Sequence, residues 1–95
     1  MQELGIFAKF SNAEDGLHRA IYLDELTVQD LKEKLTAKMD INPMHIAQVV
    51  RQVAKKENLV VRMDDSVVQD IPELQDMTID TKQNDDGSLT LIVCY

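Results

Sequence analysis

The stretch Thr27-Val28-Gln29-Asp30-Leu31-Lys32-Glu33-Lys34-Leu35-Thr36-Ala37-Lys38-Met39 decides how the rest of the chain is read. Thr27 and Asp30, three residues apart, form a capping pair. The threonine hydroxyl can accept from a backbone amide that the first helical turn leaves unpaired, and the carboxylate faces the positive end of the helix dipole. Val28, Leu31, Leu35 and Met39 then recur at steps of three and four, with Gln29, Lys32, Glu33, Thr36 and Lys38 on the other side. The segment is an amphipathic helix with one stripe turned to a core.

The flanks of this helix supply the surface it covers. Leu4–Phe10 alternates β-formers at Ile6, Ala8 and Phe10, and Leu17–Leu23 does so at Leu17, Ile21 and Leu23. Between them Ser11–Gly16 carries Asn12, Asp15 and Gly16, residues suited to a reversal, so the two runs are predicted to form a hairpin. After the helix, Asn42-Pro43 starts a short helical turn through Ile46, because proline lacks the amide that a first turn leaves unpaired and asparagine can cap it. Val49–Val53 and Leu59–Met63 read as third and fourth strands joined by the polar connector Ala54–Asn58. Asp64 or Asp65 can cap a single helical turn over Ser66–Ile71, which Pro72 keeps short. Met77–Lys82 and Ser88–Tyr95 are extended runs around Asn84-Asp85-Asp86-Gly87.

The order is hairpin, long helix, short helical turn, hairpin, helical turn and final strands. It predicts an α+β fold with one main helix packed across one face of a mixed sheet, in the β-grasp pattern. Ninety-five residues, 44% of them apolar and without a linker-like tract, fit a single domain over residues 1–95. With two Phe, two Tyr and no Trp, its core is aliphatic.

Ten basic residues against seventeen acidic ones give a formal charge of −7. Such a surface repels phosphate backbones instead of releasing counterions from them, so direct nucleic-acid contact is not expected. Met1–Phe10 has neither the basic start nor the long apolar stretch of a signal peptide. The longest apolar run, Leu89–Tyr95, is far shorter than the roughly 20 residues a membrane-spanning helix needs. The lone Cys94 can form no internal disulfide, which suits a reducing compartment.

Residues able to carry chemistry are scattered. Cys94 sits in a strand-like run without a base beside it, and reads as a small structural side chain. His18 and His45 lack a second ligand at metal-binding spacing, and His45 falls in the turn after Pro43. Asp64-Asp65 and Asp85-Asp86 do not follow the alternating oxygen pattern of a calcium loop and suit caps and turns instead. Gly5, Gly16 and Gly87 are the only glycines, so no phosphate-cradling loop exists. No catalytic residue, cofactor or metal is expected.

Three stretches carry a family resemblance: Ile21–Leu31 (IYLDELTVQDL), Ile41–Ile46 (INPMHI) and Val61–Gln69 (VRMDDSVVQ). Together they resemble the C-terminal region of Grainyhead and LSF transcription factors. Ile21–Thr27 and Pro43–Ile46 are similar to the LSF branch, and Met63–Val68 to the Grainyhead branch. Ala54–Asn58 departs from the glycine-containing turn of the LSF branch. The resemblance implies a ubiquitin-like fold that dimerises or oligomerises a nuclear transcription factor whose DNA-binding domain lies elsewhere. The alternative is a monomeric ubiquitin-like adaptor that binds unrelated proteins. Conjugation as a modifier would need a flexible di-glycine tail, whereas Val93-Cys94-Tyr95 reads as strand.

A candidate interface follows from strand parity. If Ile6, Ile21, Leu23, Leu59, Val61, Met63, Leu89, Leu91 and Val93 face the helix, then Phe7, Tyr22, Val60 and Ile92 point to the opposite face. Lys9 or Arg62 would supply a polar rim. The other reading is of scattered exposed apolar residues, which are common on protein surfaces.

Overall fold

The computed structural model describes residues 4–95; residues 1–3, on which the signal-peptide reading of Met1–Phe10 partly rests, lie outside the described residues. The elements in chain order are β1 (Leu4–Phe10), β2 (His18–Leu23), α1 (Val28–Met39), a 3-10 turn (Pro43–His45), β3 (Ile46–Gln52), β4 (Val60–Arg62), α2 (Asp65–Gln69), β5 (Gln75–Gln83) and β6 (Leu89–Cys94). The strands form a six-stranded mixed sheet in the order β2-β1-β5-β6-β3-β4. β1 and β5 are parallel, as are β3 and β6, and the three other neighbouring pairs are antiparallel. The fold is α+β with one main helix, as the sequence predicts.

Each helical element begins where its capping chemistry places it. Thr27 is the N-cap of α1, and its Oγ1 accepts from the Asp30 amide at 3.1 Å. Asp40 ends the helix in the left-handed region at φ 58°, a conformation that aspartate tolerates, and the Ile41 amide returns to the Thr36 carbonyl at 3.0 Å. Asn42 caps the 3-10 turn by accepting from the Met44 amide, with Pro43 at its first position. The Asp64-or-Asp65 question resolves into two roles. Asp64 caps α2 through the Val67 amide at 3.1 Å. Asp65 Oδ1 reaches across to the Val28 amide at 2.8 Å, so a residue of α2 satisfies an open donor of α1. Gly16 and Gly87 sit at φ 64° and 89° in the two reversals assigned to them.

Leu31, Leu35 and Met39 of α1 are buried in one cluster with Leu4, Ile6, Ala8 and Phe10 of β1, Ile21 and Leu23 of β2, Met77 and Ile79 of β5, and Leu91 and Val93 of β6. Val68 and Ile71 close its far end. Ile46 and Val49 both face this core although they are three positions apart. An irregularity in the β3–β6 register between Ile46 and Gln48 supplies the extra residue that such an odd spacing requires.

Four expectations are corrected. Thr36, assigned to the solvent side of α1, is fully buried, and its hydroxyl donates to the Lys32 and Glu33 carbonyls at 2.7 and 3.3 Å. Leu17 precedes β2 and is exposed, because the strand starts at His18. Leu59 is exposed in the connector, because β4 starts at Val60. β3, predicted from Val49, already starts at Ile46, which is also the C-cap of the 3-10 turn. Cys94 lies in a strand as expected, half-buried at the end of β6.

Thr27→Ala removes one acceptor from the start of α1. The expected loss of unfolding free energy is about 1 kcal/mol, read from the urea midpoint. An unchanged midpoint would show that Asp65 alone suffices to cap this helix.

Candidate protein interface

The sheet has one face covered by α1 and one left open. Pairing registers place on the open face Ala20 and Tyr22 of β2, Phe7 and Lys9 of β1, Asp76, Thr78, Asp80 and Lys82 of β5, Thr90, Ile92 and Cys94 of β6, Gln48, Val50 and Gln52 of β3, and Val60 and Arg62 of β4. All five residues singled out in the sequence, Phe7, Tyr22, Val60, Arg62 and Ile92, therefore share a face. They do not form one patch. β5 lies between β1 and β6 and turns two carboxylates, Asp76 and Asp80, outward between the apolar groups.

The first patch lies on β1 and β2. Phe7 is 36% exposed and Tyr22 60%, and Ala20 stands directly opposite Phe7. Tyr22 pairs with Gly5, and a Cβ built on Gly5 would lie 3.1 Å from Tyr22 Cε1 and 3.2 Å from Leu74 Cδ2. The tyrosine ring thus lies down over the glycine, with Leu74, itself 50% exposed, beside it. The same glycine donates its amide to Glu73 Oε1 at 2.9 Å and accepts from the Leu74 amide at 2.7 Å. Leu74 holds a left-handed backbone at φ 59° where this segment turns into β5. Gly5 and Leu74 were not singled out in the sequence; a glycine inside a strand pattern is the signal that could have marked this close approach.

The second patch lies on β6, β3 and β4. Val60 is 54% exposed, Ile92 and Val50 are half-buried, and Arg62 stands opposite Val50. Val50, Val60 and Ile92 line a depression of about 350 Å³ with Gln48, Gln52, Lys82, Asn84 and Thr90. Its polar wall is prearranged: Gln48 Nε2 donates to Thr90 Oγ1 at 3.2 Å, Thr90 donates to Asn84 Oδ1 at 2.9 Å, and Asn84 Nδ2 donates to Ser88 Oγ at 3.0 Å. Such side chains suit a polar rim around a modest apolar contact. Lys9, the other rim candidate, is half-buried on β1 beside the first patch, in the row of His18 and Thr78.

A second hollow of about 500 Å³ opens where β6 ends, lined by residues that include His18, Arg51, Cys94 and Tyr95. The Arg51 guanidinium lies 3.7 Å from the centroid of the Tyr95 ring, and its Nε and Nη2 donate to the Tyr95 carbonyl at 3.3 and 2.9 Å. Burial pushes the Tyr95 phenol above its ordinary value, against the opposing pull of Arg51. Among the described residues no three His, Cys, Asp or Glu side chains are grouped to hold a metal ion.

A six-stranded mixed sheet, covered by a helix on one side and bearing two apolar patches on the other, defines a small α+β domain with an open sheet face. Over residues 2–95 the chain matches the family described as GRHL1-like, C-terminal domain, and it belongs to that family. The domain is therefore one of a Grainyhead-like transcription factor. No curated protein and no solved structure matches it.

Proposed function

We propose that this domain is the self-association module of its factor: a non-catalytic, ubiquitin-like β-grasp that joins copies of a nuclear protein whose DNA-binding domain lies elsewhere. The observation that carries this function is the Phe7–Ala20–Tyr22 patch in a Grainyhead-family C-terminal domain. Aromatic side chains exposed on a rigid sheet are the groups that anchor protein interfaces. The ubiquitin-like assignment draws on the amino-terminal hairpin, the helix crossing one face and the return of β5 parallel to β1, with β6 as an addition between β5 and β3. Joining two DNA-binding modules raises the effective concentration of the second at a neighbouring half-site. A net charge of −7 suits this division of labour, since the domain adds no phosphate affinity of its own.

Light scattering after size exclusion tests the proposal. The wild-type chain should show a concentration-dependent mass of at least twice its 10.8 kDa. Phe7→Ala and Tyr22→Ala should each weaken association about tenfold. An unchanged mass in both variants would remove the β1–β2 patch as the interface. A wild-type chain that stays monomeric at every concentration would favour a monomeric adaptor that binds foreign proteins.

A further inference from the structure

We propose that two copies join through β2, edge to edge and antiparallel, about a two-fold axis passing through Ala20; this rests on the self-association proposed above and names its contact. β2 is an edge strand of the sheet. The direction of its free hydrogen-bonding groups follows from Gly5. Both the amide and the carbonyl of Gly5 are engaged on the β5 side, by Glu73 Oε1 and the Leu74 amide. A strand residue sends its N–H and C=O to the same side, and that side alternates along the strand. Ile6 and Ala8 therefore bond to β2, while Gly5, Phe7 and Lys9 do not. Through the pairs Gly5–Tyr22, Phe7–Ala20 and Lys9–His18, the amides and carbonyls of Tyr22, Ala20 and His18 point out of the sheet. A strand with three consecutive outward pairs of donors and acceptors is a template for another strand.

The strand carries few of the features that deter such pairing. Its register with β1 is unbroken, and His18–Leu23 contains no proline, lysine or carboxylate. Its one full charge, Arg19, is already met by Asp15 at 3.0 Å. In a chain of net charge −7, a six-residue edge without a carboxylate is where two identical copies can approach without opposing acids. β4, at the other edge, is only three residues long and leads into Asp64 and Asp65.

Only a register centred on Ala20 pairs all three outward residues within His18–Leu23; one centred on Arg19 would set Tyr22 against Gly16, outside the strand. Centring on Ala20 pairs it with its own copy and pairs each His18 with Tyr22 of the second copy, so that all three outward residues exchange both bonds. Centring on Ile21 would set His18 against Asp24, whose amide is already given to Asp30 Oδ2 at 2.8 Å. In the Ala20-centred register the two Phe7–Ala20–Tyr22 patches meet on one continuous sheet face, and the exposed Leu17 falls opposite Leu23 of the second copy.

Two substitutions test this contact by light scattering, with circular dichroism melting as the check on folding. Ala20→Pro removes an outward N–H and none of the bonds to β1, as proline on a strand edge allows. Ala20→Lys keeps the backbone bonds but sets two ammonium groups face to face at the axis. Each should raise the dimer dissociation constant at least about a hundredfold while a cooperative melt is retained. A wild-type dimer that both folded variants preserve overturns the β2 contact and leaves self-association standing, whereas a monomeric wild type overturns both. Should Ala20→Pro fail to fold, Ala20→Lys decides alone.

Discussion

Leu35→Ala is expected to lower the unfolding free energy by about 2–5 kcal/mol, the range for truncating a buried leucine whose cavity the surroundings only partly refill. Leu35 is fully buried in the middle of α1, between Leu31 and Met39, in the cluster that the strands of β1, β2, β5 and β6 share. The loss combines the apolar area returned to water with packing contacts that have no replacement, since the opposing strands are fixed by their ladders. For a domain of this size, each kilocalorie corresponds to roughly 4–8 °C in melting temperature, so a fall of more than about 8 °C is expected. Thermal and urea unfolding followed by circular dichroism measure it. Glu57→Ala, in the exposed connector before β4, is the comparison and should stay within about 0.5 kcal/mol of the parent. A Leu35→Ala protein as stable as the Glu57→Ala one would mean that α1 does not lie against this sheet.

The residues that made these positions legible in the sequence are those whose signal is local. Thr27 and Asp30, Asn42 and Pro43, and Asp64 act within one helical turn, so their spacing alone places them. Ile6, Ala8, Phe10, Ile21 and Leu23 alternate because a strand with one buried face must. Contacts between segments distant in the chain were not legible. Asp65 is an ordinary helix-start aspartate in the sequence, yet its carboxylate reaches an amide 37 residues away. Thr36 looks polar and therefore exposed; it is buried because a hydroxyl that bonds its own helix backbone carries no unmet polar group inward.

The open face shows the same boundary. Strand parity set Phe7, Tyr22, Val60 and Ile92 on one side with Arg62 at their rim, and the pairing registers put them on one face, because alternation belongs to each strand separately. Continuity of the face depended on strand order, which periodicity does not contain. β5, inserted between β1 and β6, brings Asp76 and Asp80 outward and divides the apolar surface into two. The division makes each patch smaller than a continuous apolar sheet face. A second copy is then needed to assemble a larger contact on the β1–β2 side.

Asp30 is where local and distant effects combine, and its replacement is the second large loss expected. Its Oδ2 accepts from the Asp24 and Glu25 amides at 2.8 and 3.2 Å, and its Oδ1 meets Lys34 Nζ at 2.9 Å, while its own amide donates to Thr27. One carboxylate therefore ties the end of β2 to the first turn of α1 and faces that helix's positive pole. Burial raises the Asp30 carboxyl, but the Lys34 ammonium and the Glu25 and Asp24 amides outweigh it and hold the group below its ordinary value. Asp30→Asn leaves the side-chain shape and removes the charge, and the expected cost near neutral pH is about 1.5–3 kcal/mol. The pH dependence has a definite sign. A carboxyl whose folded value lies below its unfolded one contributes fully above the unfolded value near 3.9, and that contribution is lost as pH falls through the folded value. The gap between wild type and Asp30→Asn should stay constant from about pH 5 to 8 and narrow below about pH 4. Urea unfolding across that range reads both variants. A gap that narrows already above pH 5 would assign the stabilisation to a group other than this carboxylate. Because Thr27 Oγ1 accepts from the Asp30 backbone amide while the Asp30 carboxylate holds the same first turn of α1, Thr27→Ala made in the Asp30→Asn background, where that turn is already loosened, should cost less than the same change in the wild type. Equal costs in the two backgrounds would mean that the hydroxyl and the carboxylate cap α1 independently.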